Sequence, residues 1–115
     1  MIKAVLKNIP DGTPNGRING FVLSGHANYA KHGKDIVCAA VSMLAINTVN
    51  SIETLTEDEF EVEQGESGEL SFRFTKEPSK EGQALLDALR IGLESVKAEY
   101  GSSYIEISKE VEPLC

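Results

Sequence analysis

The chain begins with two short segments in which apolar and polar residues alternate, the pattern of β-strands with one buried face. The first covers residues 2–8 and the second covers about 17–24. Between them, Pro10-Asp11-Gly12 and Pro14-Asn15-Gly16 are strong turn sequences, because Pro presets φ and Gly accepts a positive φ. We therefore expect an antiparallel hairpin with a fairly long loop.

From Asp35 onward the apolar spacing changes to the threes and fours of a helix. Asp35 is a good N-cap candidate, because its carboxylate can accept the amides of the first helical turn. The positions that share the helical spacing are Ile36, Val37, Ala40, Val41, Leu44, Thr48 and Ile52. The pattern predicts a central, well-buried helix that begins after Asp35.

The second half repeats the order of strands followed by a helix. A hairpin is expected over about 57–63 and 69–75, and a second helix starts within 78–81. Leu85, Leu89, Leu93 and Val96 form one stripe of that helix, Tyr100-Gly101 ends it, and a last strand covers about 103–109. The order β-β-α-β-β-α-β predicts an α+β fold: a mainly antiparallel sheet with two helices packed on one face.

The composition adds few constraints. The chain has 115 residues, of which 41% are hydrophobic and 25% charged, so we expect one domain over residues 1–115. No apolar run approaches the roughly 20 residues that cross a bilayer. The first seven residues have the pattern of a strand and not of a signal peptide. The expected compartment is the cytoplasm, with no membrane partner.

The charge is unevenly distributed. Residues 1–55 carry five Lys/Arg and three Asp/Glu, whereas residues 56–115 carry six and fifteen. Phosphate neutralisation dominates nucleic-acid affinity, so an acidic chain is a poor direct nucleic-acid binder. Its second half, which includes Glu57, Asp58, Glu59, Glu61 and Glu63, would suit a basic protein as partner, or would simply be a solvated face.

Candidate chemistry is concentrated in residues 24–42. Cys38 is predicted near the start of a helix, where backbone amides and the helix dipole favour a thiolate. His26 lies in the preceding loop, bounded by Gly25 and Gly33, and could reach the sulfur. The amides of residues 36–39 could stabilise an oxyanion. A thiolate, a base and an oxyanion site are what acyl transfer requires.

The spacing leaves alternatives open. Cys38, followed by two alanines, could be a small core residue, and His32 competes with His26 as the base. Asp35 could be only a helix cap, or it could orient an imidazole, and Ser42 could support the site or bond its own helix. If Cys38 is only a core residue, the chain would be a non-catalytic binding module.

Two further chemistries receive less support from the spacing. A redox sensor would need a resolving thiol, and Cys115 is the candidate. His26, His32 and Cys38 could ligate a metal, but no closely spaced ligand pair accompanies them. We therefore predict no metal and no cofactor.

Gly25-His26-Ala27, then Gly33, then the run from Asp35 to Ser42 resemble the signature of the ribosomal-processing cysteine protease family. Eleven residues separate His26 from Cys38, as in that signature. The resemblance in length and element order extends over the whole chain.

The resemblance implies a small cytoplasmic homodimeric enzyme. Its substrate would be large-subunit ribosomal protein twenty-seven, from which it removes an N-terminal extension after an aromatic pair. Cys38 corresponds to the family's nucleophile and His26 to its histidine, while Gly25 corresponds to a hinge of the loop that ends near Gly33. Asp35 and Ser42 match motif positions with supporting or orienting roles. If Cys38 is a core residue instead, the alternative is a non-catalytic ribosome-assembly or peptide-binding module.

Overall fold

The computed structural model describes residues 1–14, 16–26, 30, 35–66 and 68–111. The elements follow the predicted order. They are β1 (Ile2–Ile9), β2 (Arg17–Gly25), α1 (Ile36–Leu55), β3 (Phe60–Gln64), β4 (Leu70–Phe74), α2 (Lys80–Tyr100) and β5 (Ile105–Val111). The predicted α+β class and element order are confirmed.

The five strands form one mixed sheet in the order β3-β4-β2-β1-β5. Three of its four neighbouring pairs are antiparallel, including the predicted β1–β2 and β3–β4 hairpins, and β1 pairs with β5 in parallel. Because β1 and β2 occupy the middle, Ile2 lies beside Gly25 on one side and beside Ile105 on the other. The start of the chain therefore holds the end of β2 in place.

Both helices cover one face of this sheet, where alternate strand residues are buried. Phe72 lies at the centre of an aromatic cluster, stacked on Phe21 and Phe60 and edge-on to Phe74. The helices pack closely at Gly92, where a side chain would collide with Leu44. On the opposite face the middle strands carry half-buried residues such as Val5 and Val22, and the outer strands carry exposed polar residues such as Glu61 and Glu106.

The helical stripes differ in detail from the predicted ones. Asp35 is the N-cap of α1 as expected. Of the two neighbours predicted for its apolar stripe, Val37 is buried in the core but Ile36 is 50% exposed. In α2, Leu86 is fully buried while Leu85 is only partly buried. The predicted stripe of α2 was therefore displaced by one position at its start, whereas the predicted stripe of α1 included one exposed residue, Ile36.

The predicted strand over 57–63 begins three residues later than expected, because Asp58 has another role. Its amide donates to Thr56 Oγ1 at 3.1 Å, which makes a turn after α1. Its carboxylate accepts the Ser79 amide at 2.8 Å and the Ser79 hydroxyl at 2.7 Å. Ser79 is the N-cap of α2 and accepts the Gly82 amide at 3.1 Å, so Asp58 fixes the start of that helix.

By length and composition alone α1 could cross a membrane, with 20 residues and a mean hydropathy of 1.5. This differs from the expectation that no apolar segment approaches that length. The core helix of a globular protein meets the same criterion, and α1 buries Val37, Val41, Ala45, Thr48 and Ile52. Only 28% of its apolar window is buried, however, so the prediction of a well-buried helix is wrong: α1 lies on the outside of the sheet and exposes its other side.

We predict that Asp58→Ala lowers the free energy of unfolding by about 1–3 kcal/mol, because it leaves a partly buried cap without its charged acceptor. Urea denaturation measures this change. Glu57→Ala, at the exposed neighbouring position, should cost about 0.5 kcal/mol or less. Equal losses in the two variants would contradict the capping role.

Candidate active site

The site is built where β2 ends and α1 begins. Gly25 closes β2 with φ +85°, and a Cβ there would lie 2.3 Å from the Met1 carbonyl oxygen. Only glycine fits both the backbone conformation and this close approach. The Met1 nitrogen also donates to the His26 carbonyl at 2.6 Å. The backbone of His26 is therefore held against the start of β1.

Asp35 connects the loop to the helix. Its carboxylate is 2% exposed, and Oδ1 accepts the amides of Val37 at 3.0 Å and Cys38 at 3.1 Å. Oδ2 faces His26 Nδ1 at 3.8 Å and accepts the Ala30 amide at 3.5 Å. One carboxylate thus caps α1 with one oxygen and lies beside an imidazole with the other.

These connections bring three predicted site residues together. A ring nitrogen of His26, a carboxylate oxygen of Asp35 and the Cys38 sulfur all lie within 4.8 Å of one another. The His26 side chain is 37% exposed. Cys38 is partly buried, and it also lines a groove. The alternative in which Cys38 is simply a core residue does not account for its place beside a histidine at an open groove.

The groove next to Cys38 has a volume of about 260 Å³. It lies between α1 and the sheet, close to the turn between β3 and β4. Its walls are mainly apolar and include Leu23, Val41, Ala45, Ile46 and Leu70. The groove can therefore accept apolar side chains next to the Cys38 sulfur.

Ser42 also lines the groove, one helical turn after Cys38. Gly33, His32 and Cys115 lie outside the described residues, as does most of the loop between Gly25 and Asp35. The hinge role of Gly25 and Gly33 therefore stays a prediction, and so does the choice of His26 over His32.

The oxyanion donors expected at residues 36–39 are largely engaged already. The Val37 and Cys38 amides bond the Asp35 carboxylate, and the Ala39 amide donates to the Asp35 carbonyl at 3.0 Å. An aspartate cap satisfies the amides that the sequence argument left open, so we do not assign oxyanion stabilisation to them.

The sequence argument also missed the far wall of the groove. Leu70 lies in a strand that the alternating pattern predicted, but nothing in the sequence indicated that this strand lies near Cys38. The connection depends on the pairing of β2 with β4, in which Leu23 lies opposite Leu70.

Comparison with known proteins matches residues 1–106 to the family model described as cysteine protease Prp. The chain belongs to this family. It is 30% identical over 105 residues to the ribosomal processing cysteine protease Prp of Bacillus subtilis strain 168, covering 87% of this chain and 90% of that one. It is 27% identical over 89 residues to the Prp of Staphylococcus aureus strain Mu50, covering 76% and 84%.

Solved Prp structures share the fold. The crystal structure of the essential S. aureus Prp with a covalently linked product peptide superposes with a TM-score of 0.84 at 24% identity, covering 96% of this chain and all of that one. The S. aureus complex with a substrate peptide gives 0.79 at 23% identity over the same shares. The family model and the Bacillus subtilis relative show that this Prp family member is a cysteine protease.

We predict that Gly25→Ala destabilises the fold by at least about 1 kcal/mol more than Gly12→Ala does. Both glycines have a positive φ, but a Cβ at Gly12 meets nothing within 4 Å, whereas one at Gly25 meets the Met1 backbone. Urea unfolding of the two variants separates this collision from the cost of positive φ. Equal losses would mean that the contact with Met1 does not constrain the site.

Proposed function

We propose that this protease removes the N-terminal extension of large-subunit ribosomal protein twenty-seven in the cytoplasm, with Cys38 as nucleophile and His26 as base. The observation that carries the proposal is the approach of Cys38 Sγ and a His26 ring nitrogen to within 4.8 Å, with Cys38 lining an apolar groove. A nucleophile must lie near its base for acyl transfer, and the distance in a substrate-free site often shortens when substrate binds.

The mechanism follows from these two groups. His26 takes the thiol proton, and the Cys38 sulfur attacks the scissile carbonyl to form a tetrahedral intermediate. Collapse of the intermediate breaks the peptide C–N bond as His26 returns the proton to the leaving amine. Water, deprotonated by His26, then attacks the thioester, and the thiol is released with the free carboxylate.

Asp35 is a positioning residue in this mechanism. Its buried carboxylate lies 3.8 Å from His26 Nδ1, so its charge favours the imidazolium that forms during attack. The same charge opposes a thiolate on Cys38, which the positive end of the α1 dipole favours. Asp35 therefore acts on the sulfur through His26. Ser42, on the same groove wall, is in a position to contact bound peptide.

Three features support the proposed substrate. The apolar groove beside Cys38 suits the aromatic residues that precede the cut in the expected extension. Relatives with the same family membership are named as ribosomal processing proteases. The acidic second half suits a basic ribosomal protein, although Glu61 and Glu59 are already paired with Arg73 and Lys76.

We expect Cys38→Ala and His26→Ala each to reduce turnover of a precursor peptide by about a thousandfold or more, because each removes an indispensable group. The measurement is mass spectrometry of a peptide that spans the extension, incubated with each purified variant. Cys115→Ser, which removes the other thiol, should cleave the same single bond at the native rate. Full activity in either site variant would remove the role assigned to that residue.

We further propose that two copies associate through the exposed apolar strip of α1. Ile36, Met43 and Ile46 are 50%, 65% and 51% exposed, and their helical spacing places them on one side of α1. Ala39 lies between them and is also exposed. A second copy is the proposed occupant, because a self-complementary surface is what a symmetric dimer requires and the strip adjoins the groove through Ile46.

Met43→Lys should weaken this homodimer by about tenfold or more, because it places a charge in the middle of an apolar contact. Analytical ultracentrifugation over a concentration series measures the effect. Leu55→Lys is the matched control, since Leu55 is 68% exposed at the end of α1 and lies on another side of the helix. A monomeric native protein, or equal weakening in both variants, would contradict an interface on this strip.

A further inference from the structure

The cluster of His26, Asp35 and Cys38 offers a nitrogen, an oxygen and a sulfur, all within 4.8 Å of one another. We propose that these three side chains bind Zn²⁺ and that the bound ion reversibly inhibits the protease. Binding itself needs only the geometry of the cluster, whereas the inhibition rests on the proposed roles of Cys38 and His26. The ion is a regulator in this proposal and not a cofactor.

The distances suit a tetrahedral ion. Zinc bonds of about 2.0–2.3 Å place neighbouring ligand atoms about 3.3–3.6 Å apart. The largest separation in the cluster is 4.8 Å, so a displacement of about 1 Å brings all three atoms into range. The partly exposed His26 side chain can make this adjustment, and solvent water can occupy the fourth position.

Asp35 gives the site its preorganisation. Oδ1 is fixed by the amides of Val37 and Cys38, so the carboxylate cannot turn away from the cluster without uncapping α1. Oδ2 is thereby directed towards His26, and Cys38 is tied to the same carboxylate through its own backbone. Fixed outer contacts of this kind orient ligands and strengthen metal binding.

The donor set also selects the ion. Thiolate and imidazole suit zinc and cobalt, whereas Mg²⁺ and Ca²⁺ require oxygen ligands. The Cys38 thiolate and the Asp35 carboxylate together balance the charge of a divalent ion in a partly buried place. The proton that the Cys38–His26 pair carries passes to solvent when the metal–sulfur bond forms. The metal then coordinates both the Cys38 sulfur and the His26 imidazole, so neither group can act in catalysis.

The site was not evident from sequence spacing. The metal set considered there was His26, His32 and Cys38, which lacks a close ligand pair. In the structure Asp35 joins His26 and Cys38, because helix capping turns its carboxylate back towards the loop. His32 lies outside the described residues and is not required.

The experiment uses Co²⁺ as a spectroscopic probe and Zn²⁺ for affinity, with the full chain carrying Cys115→Ser so that Cys38 is the remaining thiol. We expect a thiolate-to-cobalt absorption band at one ion per chain, absent in Cys38→Ser. Zinc affinity by calorimetry should fall by at least about tenfold in both His26→Ala and Asp35→Asn. Asparagine is also a good N-cap, so this last variant keeps the helix start.

Two controls make the test specific. Glu106→Gln, which removes an exposed carboxylate on β5, should leave the zinc affinity unchanged. In the Cys115→Ser chain with native His26, Asp35 and Cys38, Zn²⁺ but not Mg²⁺ should protect Cys38 from iodoacetamide, and a chelator should reverse the protection. The protection of Cys38 is measured on a chain with all three native site residues, so it does not require that a site variant folds correctly.

Three results would overturn the proposal: no cobalt–thiolate band, no protection of Cys38, or a zinc affinity unchanged in both His26→Ala and Asp35→Asn. The last would mean that the metal binds the thiol alone. None of these measurements uses a substrate, so a chain that binds zinc but cleaves nothing would contradict the proposed function and leave the binding site standing. Cleavage that persists with zinc bound would refute the inhibition alone.

Discussion

The candidate site depends on one buried carboxylate. Asp35 has to cap α1, because Val37 and Cys38 would otherwise have unsatisfied amides at a buried helix start. Satisfying them with Oδ1 directs Oδ2 towards His26 and brings the loop, the helix and the thiol into one cluster. The same hydrogen bonds that begin the helix therefore set the spacing of the groups proposed for catalysis.

The sheet supplies the rest of the geometry. β1 lies between β2 and β5, and its first residues hold Gly25 and the His26 backbone. The pairing of β2 with β4 places Leu70 across the groove from α1. The reacting groups lie within the thirteen residues from His26 to Cys38, and the strands that provide the binding surface are distant from them in the sequence. Local structure provides the reacting groups, and long-range pairing provides the surface for a peptide.

The parts that could be predicted from the sequence are those that local physics determines. Alternation defined β1 and β2, helical spacing defined α1, and an aspartate before an apolar helix defined the cap. The sequence motif identified His26, Asp35 and Cys38 as candidate site residues, and the structure places them close together. The sequence could not predict the parallel pairing of β1 with β5, nor that Leu70 lines the groove, because both depend on the order of strands in the sheet.

Two local errors have physical causes of the same kind. The amides of residues 36–39 were expected to be open to an oxyanion, but the Asp35 carboxylate engages those of Val37 and Cys38, and the Asp35 carbonyl engages that of Ala39. Asp58 was assigned to an acidic strand, whereas its contact with Ser79 makes it the anchor of α2. In both cases a carboxylate accepts a backbone amide. The Asp35 cap was predicted, but not its consequence that the capped amides are unavailable to an oxyanion, whereas the contact of Asp58 with Ser79 was not predicted at all.

The central claim is that the cluster around Asp35 performs acyl transfer through the Cys38 sulfur. The most direct test is rapid acid quenching of the enzyme with the precursor peptide, followed by intact-mass and fragment mass spectrometry. The account predicts a transient thioester between Cys38 and the N-terminal fragment of the substrate, absent in Cys38→Ala. Cleavage at the native rate in Cys38→Ala, with no adduct in either protein, would contradict it.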